Sequence, residues 1–320
     1  MTTRIIGTGS ALPANIVTND DLAKIMDTSD EWISSRTGIR ERHLADDSET
    51  AAVLAAEAGR KAMENAGVSA EEIQMVLVAT SSAENYFPSV GCQVHKMLGL
   101  HQAAAMDLSA ACSGFLFVLN TAHAYIKSGL YERILVIGVD TLSRTIDWTD
   151  RSTCVLFGDG AGACVVQKDE EGIIGMSQHS DGSQSGVLTS FAPTQKTPLS
   201  EAMPGSPLYM EGQAVFKFAV KTVPDCISRL LEKEEMTADQ VKYFVLHQAN
   251  SRIIQSVAKR LKVSADKFPM NLDRCGNTSA ASIPLLLDEM NRSGKLEKGD
   301  VLMLSGFGAG LTWGATLLRW

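Results

Sequence analysis

The sequence predicts an α/β protein built from two similar halves, and three observations carry that prediction. Strands alternate with helical stretches along the whole chain, and several strands, such as 75–79 and 301–304, are continuous apolar runs. Such strands are buried on both faces, as in a sheet covered by helices. A pattern in residues 68–80 (Ser69, then Ala70 and Glu71, then Ile73 before an apolar strand) returns in residues 236–248 as Thr237, Ala238, Asp239 and Val241, 168 residues later. A second pair follows in the same order. Lys127, Ser128 and Gly129 precede a strand at Ile134–Ile137, and Arg292, Ser293 and Gly294 precede one at Val301–Leu304, 165 residues on. Between these anchors each half carries a turn and an apolar helix, at 113–127 and 279–292. The halves are therefore 1–172 and 173–320. The Gly/Ser/Pro-rich stretch 180–207 reads as a loop or lid insertion.

A chain of 320 residues with 45% hydrophobic composition has ample material for a large core. No apolar run approaches the ~20 residues that a membrane-spanning helix needs. The start, 1–9, lacks the apolar stretch and cleavage site of a signal peptide and reads as a strand entering a loop. A net charge of −8 argues against a general nucleic-acid binder. None of the six cysteines, Cys92, Cys112, Cys154, Cys164, Cys226 and Cys275, forms a C-x-x-C pair or sits near a His at zinc-ligand spacing. No metal site or disulfide framework is expected, and a reducing cytoplasm fits.

Cys112 stands out among them. Ala104–Leu108 is short and apolar enough for a strand, and Phe115, Leu116, Leu119, Ala122, Tyr125 and Ile126 recur at helical spacing. Cys112 thus lies at a strand-to-helix turn among small residues, where helix N–H groups favour a thiolate and lower its pKa. The same context also suits an inert cysteine in a tight turn. His247 ends a strand at 241–246, the end at which α/β sheets gather their ligands. It is able to donate to a developing oxyanion, or simply to be satisfied by loop backbone. Asn277 lies in a turn before an apolar helix, where its amide either donates to a ligand or does ordinary turn chemistry. The glycine run 157–163 invites a nucleotide reading but follows no strand–turn–helix start, so it reads as a close-packed turn before the strand at 164–166. The run 305–310 follows the strand 301–304 and offers bare backbone N–H groups.

Together these residues resemble the β-ketoacyl-acyl-carrier-protein synthase III family. The signals are Ser34–Ile39, Asp107–Phe115 around Cys112, His247–Asn250 and Gly276–Ala280, and the likeness spans nearly the whole chain. One departure is Ser113, where many members have Ala or Thr. The resemblance implies a thiolase-like fold, layered α-β-α-β-α, with a catalytic Cys112, His247 and Asn277. It implies decarboxylative condensation of an acyl-CoA primer with malonyl thioester on acyl-carrier protein, initiating fatty-acid synthesis through an acyl-Cys112 intermediate. Backbone N–H groups of Cys112 and of the Gly308–Ala309 loop would hold the oxyanion. Acyl-CoA and the malonyl carrier are substrates, and no metal or redox cofactor is needed.

Coenzyme A contacts carry over to Trp32, Arg36 and Arg151, with Thr28, Gly212, Phe216 and Asn250 along the pantetheine passage. Phe87 and Phe307 carry over as acyl-pocket residues, Phe87 closing the pocket of the neighbouring subunit in a homodimer. An acidic carrier protein needs a local basic surface on this acidic chain. Arg252, Lys259 and Arg260 share a face of the helix after His247, with Lys217 nearby and Gln248, Ala249, Asn250 and Ser251 at its start; a solvated helix face would look the same. Other readings are a specialised relative that primes a secondary metabolite or joins long chains, a non-catalytic acyl-CoA-binding protein, and a nucleotide-dependent oxidoreductase through 158–162.

Overall fold

A computed structural model describes all 320 residues. One five-stranded sheet has the spatial order Thr2–Ala11, Gly160–Asp169, Arg133–Asp140, Met75–Ala79, Ala104–Leu108. Met75–Ala79 is parallel to both its neighbours, and the other two pairings are antiparallel. A four-stranded sheet has the order Ile173–Ser180, Thr312–Arg319, Val301–Gly308, Tyr243–Leu246, with only the last pairing parallel. Four strands thus repeat in order and direction, and the first sheet adds Ala104–Leu108 at its edge. The turn between Asp169 and Ile173 joins the two sheets, and the 172/173 boundary falls within it.

Three layers of helix enclose these sheets. Ala51–Ala66 and Val90–Met97 cover the outer face of the first sheet. Gly212–Lys233 and Ser251–Leu261 cover the outer face of the second. Gly114–Ser128 and Ser282–Arg292 lie between the sheets. Strand pleating explains how the apolar runs serve two layers at once. Leu77 and Val136 point to the central helices, while Val76, Val78, Leu135 and Ile137 point to the outer ones. Each such side chain contributes about 1.5–3 kcal/mol by leaving water. Ala51–Ala66 begins where the Thr50 side chain accepts the Val53 N–H and ends at left-handed Gly67. No helix is long and apolar enough to cross a membrane.

Of the glycine run 157–163, the part from Gly160 onward is already strand rather than turn. A Cβ on Gly162 would lie 2.5 Å from Leu285 N, and one on Gly138 2.2 Å from Ala280 O. Only glycine lets the second central helix and its leading turn lie that close to the sheet. Two further boundaries differ from the periodicity reading. Residues 279–281 form a separate 3-10 turn before the helix, and the strand from Val301 continues to Gly308. The 180–207 stretch is also more ordered than a plain loop: Leu188–Phe191 pairs antiparallel with Ser206–Met210.

Candidate active site

The central helices enter the site through matching turns. Ala111–Ser113 leads into Gly114–Ser128, and Ser279–Ala281 leads into Ser282–Arg292. Ala111 and Ser279 have φ of +47° and +50°, left-handed values that strain a residue bearing a Cβ. They stand 168 residues apart, the spacing of the sequence repeat. The Ser279 hydroxyl donates to Cys112 Sγ at 3.3 Å, so the two turns meet at the sulfur.

Cys112 is 9% exposed. Burial pushes its thiol up to about 12, while the Ser279 hydroxyl and its own N–H pull the other way. The expected lowering by the helix N-terminus is therefore outweighed by desolvation, and the resting group is a thiol. Gly308 packs over the same turn: a Cβ there would lie 2.7 Å from Cys112 N. Ser113 Oγ and Thr312 Oγ1 are 2.8 Å apart, and Thr312 also donates to Ala309 O at 3.0 Å. These bonds tie the Cys112 turn to the Gly308–Ala309 loop.

His247 follows the strand Tyr243–Leu246 and donates its backbone N–H to Ser305 O at 2.9 Å. Its ring is buried, with Nδ1 2.7 Å from Ser282 Oγ and Phe307 edge-on at 5.4 Å between centroids. Burial lowers its pKa to about 3, so the imidazole is neutral. Asn277 is fixed by its backbone, through Leu156 O at 2.9 Å and Gly158 N at 3.0 Å. Its Oδ1 accepts the Ser279 N–H at 2.9 Å, which leaves the Nδ2 group as the unused donor. The segment Asn277–Ser282 thus supplies one candidate itself and holds the other two through Ser279 and Ser282. Beneath it, buried Asp140 accepts from Ser81 N at 2.7 Å, Ser82 Oγ at 2.9 Å and Ala280 N at 3.3 Å, and burial raises its pKa. Nothing in the local sequence marks Ser282 or Asp140 as part of the site, whereas Ser279 is signalled by its repeat spacing from Ala111.

A cavity of about 500 Å³ opens beside Cys112. Leu142, Phe157, Leu188, Phe191 and Leu208 line its apolar wall, so the paired strands Leu188–Phe191 and Ser206–Met210 help to build it. Phe307 does not line this cavity; it packs behind His247 with Val223 and Ile253. Phe87 is 86% exposed and does not line the cavity of its own chain.

The Arg36 and Arg151 guanidinium groups both lie over the Trp32 ring, at 4.7 and 4.6 Å from its centroid. Arg151 is held by Asp27 O at 2.7 Å, and Thr28 Oγ1 nearby in sequence is buried without a partner. Asn250 caps the Ser251–Leu261 helix through Arg252 N at 2.8 Å and donates to Arg36 O at 3.1 Å. Arg252 donates to Ser35 O at 2.8 Å, which clips that helix to Asp30–Thr37. Gly212, Phe216 and Lys217 sit in the first turns of Gly212–Lys233. Lys217, Arg252, Lys259 and Arg260 are exposed, and Ala249 and Ser251 are half-buried. Arg260 is paired with Asp225 at 3.0 Å. Gln248 does not fit a docking role. It is 1% exposed, donates to Leu246 O at 2.8 Å and accepts from Asn271 N at 3.1 Å, so it braces the His247 loop from within.

Comparison with known proteins places the whole chain in one family. Residues 106–182 match the family described as 3-oxoacyl-[acyl-carrier-protein] synthase III, and residues 231–320 match its C-terminal part. The β-ketoacyl-[acyl-carrier-protein] synthase III of Microcystis aeruginosa is 50% identical, over 99% of this chain and 97% of the relative. The crystal structure of 3-oxoacyl-(acyl carrier protein) synthase III from Pseudomonas aeruginosa PAO1 superposes with TM-score 0.94 at 41% identity, covering 100% of this chain and 98% of that one. The Aquifex aeolicus structure of the same name gives 0.92 at 42%, covering 99% and 100%.

Proposed function

The chain belongs to the 3-oxoacyl-[acyl-carrier-protein] synthase III family, condensing acyltransferases of fatty-acid synthesis, and from that premise we propose that Cys112 carries the primer while His247 and Asn277 act on the malonyl thioester. The observation that carries this reading is the Asn277–Ser282 turn, bonded to the Cys112 sulfur and the His247 ring beside an apolar cavity.

Acyl-CoA enters past Trp32, Arg36 and Arg151, whose planes suit an adenine and its phosphates. Cys112 Sγ attacks the thioester carbonyl. The oxyanion forms against the N–H groups of Cys112 and the Gly308–Ala309 loop. The carbon–sulfur bond to coenzyme A breaks, and the departing sulfur takes the thiol proton. Malonyl-carrier protein then binds, its carbonyl oxygen accepting from His247 Nε2 and Asn277 Nδ2. The carboxylate leaves as carbon dioxide, and its bonding electrons form an enolate. The enolate carbon attacks acyl-Cys112, the carbon–sulfur bond breaks, and Cys112 departs as thiolate and takes a proton from solvent. A histidine that stays neutral suits a donor role, and the steps balance without a metal or redox group.

For the carrier protein, docking on the Ser251–Leu261 helix is supported by the exposed Arg252 and Lys259, with Lys217 also exposed; Arg260 is already paired with Asp225. A homodimer fits the unpaired outer edge of Ala104–Leu108 and the exposed Tyr86 and Phe87. The family and its thioester substrates point to the cytoplasm. The test is incubation with acyl-CoA and malonyl-carrier protein, followed by detection of carbon dioxide and β-ketoacyl-carrier protein. His247→Ala and Asn277→Ala are expected to keep acyl-Cys112 formation and lose carbon dioxide release. Native release from both variants would refute the assignment.

A further inference from the structure

The donor role proposed for His247 requires a proton on Nε2, yet a neutral imidazole carries its single proton on either nitrogen. Within the chain only Nδ1 is engaged, by Ser282 Oγ at 2.7 Å. Ser282 is 1% exposed at the first turn of a central helix. A serine hydroxyl has one proton to give and two lone pairs. The backbone N–H of Gln248 approaches the same oxygen at 3.4 Å and is able only to donate. His247 Nδ1 and Gln248 N are the two groups bonded to Ser282 Oγ, so the hydroxyl proton has one acceptor, Nδ1. The buried Gln248 side chain holds this arrangement by bonding Leu246 O and, from a distant segment, Asn271 N. Phe307 packs edge-on against the imidazole, with centroids 5.4 Å apart.

We infer that Ser282 is a positioning residue for His247: its hydroxyl donates to Nδ1 and so keeps the ring proton on Nε2, where it faces the malonyl carbonyl. The inference rests on the proposed donor role of His247. It also separates the two half-reactions. An imidazole with Nε2–H is no base for the Cys112 thiol, so Ser282 matters to condensation and not to acylation. Ser279, three residues earlier in the same segment, serves the sulfur instead.

The test combines NMR of protein carrying nitrogen-labelled histidine, assigned with His247→Ala, and rates of the two half-reactions in Ser282→Ala. In the native chain, Nε2 is expected to show the signal of a protonated nitrogen and Nδ1 that of an unprotonated one. In Ser282→Ala the Nδ1 signal should shift, Cys112 acylation by acyl-CoA should stay near the native rate, and condensation should fall about tenfold or more, since a catalytic histidine in the wrong tautomer is a poor catalyst. Ser282→Cys keeps a weak donor and should fall between the two. A native proton on Nδ1, unchanged condensation in Ser282→Ala, or equal loss of both half-reactions would overturn the inference. The NMR result on the native protein decides the tautomer even where the variant folds poorly. Native-rate condensation by His247→Ala would remove the underlying donor role instead, whatever the tautomer.

Discussion

Replacing Gly308 by alanine should stop acyl transfer to Cys112 far more than it harms the fold. The new Cβ would lie 2.7 Å from Cys112 N, 3.1 Å from Ser113 N and 3.2 Å from Ala111 Cβ. None of these is the tip of a flexible side chain, so the Cys112 turn itself has to shift. The methyl also covers the Cys112 N–H that the oxyanion needs. Loss of one such donor costs about 100- to 1,000-fold in rate, or ~2.7–4 kcal/mol. Overpacking of this kind costs about 1–3 kcal/mol of stability. Gly306→Ala, two residues earlier in the same strand, is the control. Its Cβ would meet His247 Cβ at 3.4 Å, Ile283 Cδ1 at 3.5 Å and Leu116 Cδ1 at 3.6 Å, all ordinary contacts. The assay is single-turnover acylation by acyl-CoA followed by intact mass, with thermal melts on both variants. Near-native acylation by Gly308→Ala, or an equal defect in Gly306→Ala, would refute the oxyanion argument.

Leu208→Ala removes part of the apolar wall beside Cys112 and should move primer preference toward longer acyl-CoA chains, at a stability cost of about 2 kcal/mol; ranking of mass adducts across primers checks it. Lys259→Glu reverses an exposed charge on the helix after His247 and should raise KM for malonyl-carrier protein while sparing reaction with coenzyme A thioesters; equal loss with both would contradict docking there. His247 has its pKa lowered from 6.5 to about 3 by burial, so between those values the unfolded chain binds the extra proton. This part of the stability is present above pH 6.5 and is lost as pH falls toward 3. Denaturant midpoints for the native protein should drop across that window, and His247→Asn should flatten the drop.

Local patterns carried much of the fold into the sequence. The apolar strand Ala104–Leu108 and the periodicity after it locate the Cys112 turn, and the 168-residue repeat pairs that turn with Ser279–Ala281. Contacts between distant segments were not legible. Ser282 looks like any helix-start serine until the strand ending at Leu246 carries His247 against it. Gln248 reads as a polar loop residue, but its two backbone bonds bury it. The glycines near 160 read as a turn because the pressure that selects them comes from Leu285, more than a hundred residues away. The cavity wall escaped notice for a similar reason. Leu188 and Leu208 meet only when the insertion closes into a hairpin. The cysteine pKa went the other way from the helix-dipole argument because sequence does not report burial.

Everything proposed for the condensation depends on Cys112 accepting the acyl group. The direct measurement is intact-protein mass spectrometry after incubation with acetyl-, isobutyryl- and octanoyl-CoA, for the native chain and for Cys112→Ser. A single acyl adduct is expected with at least one primer, discharged by malonyl-carrier protein and absent from the variant. No adduct on folded native protein, or an adduct that persists in Cys112→Ser, would contradict it.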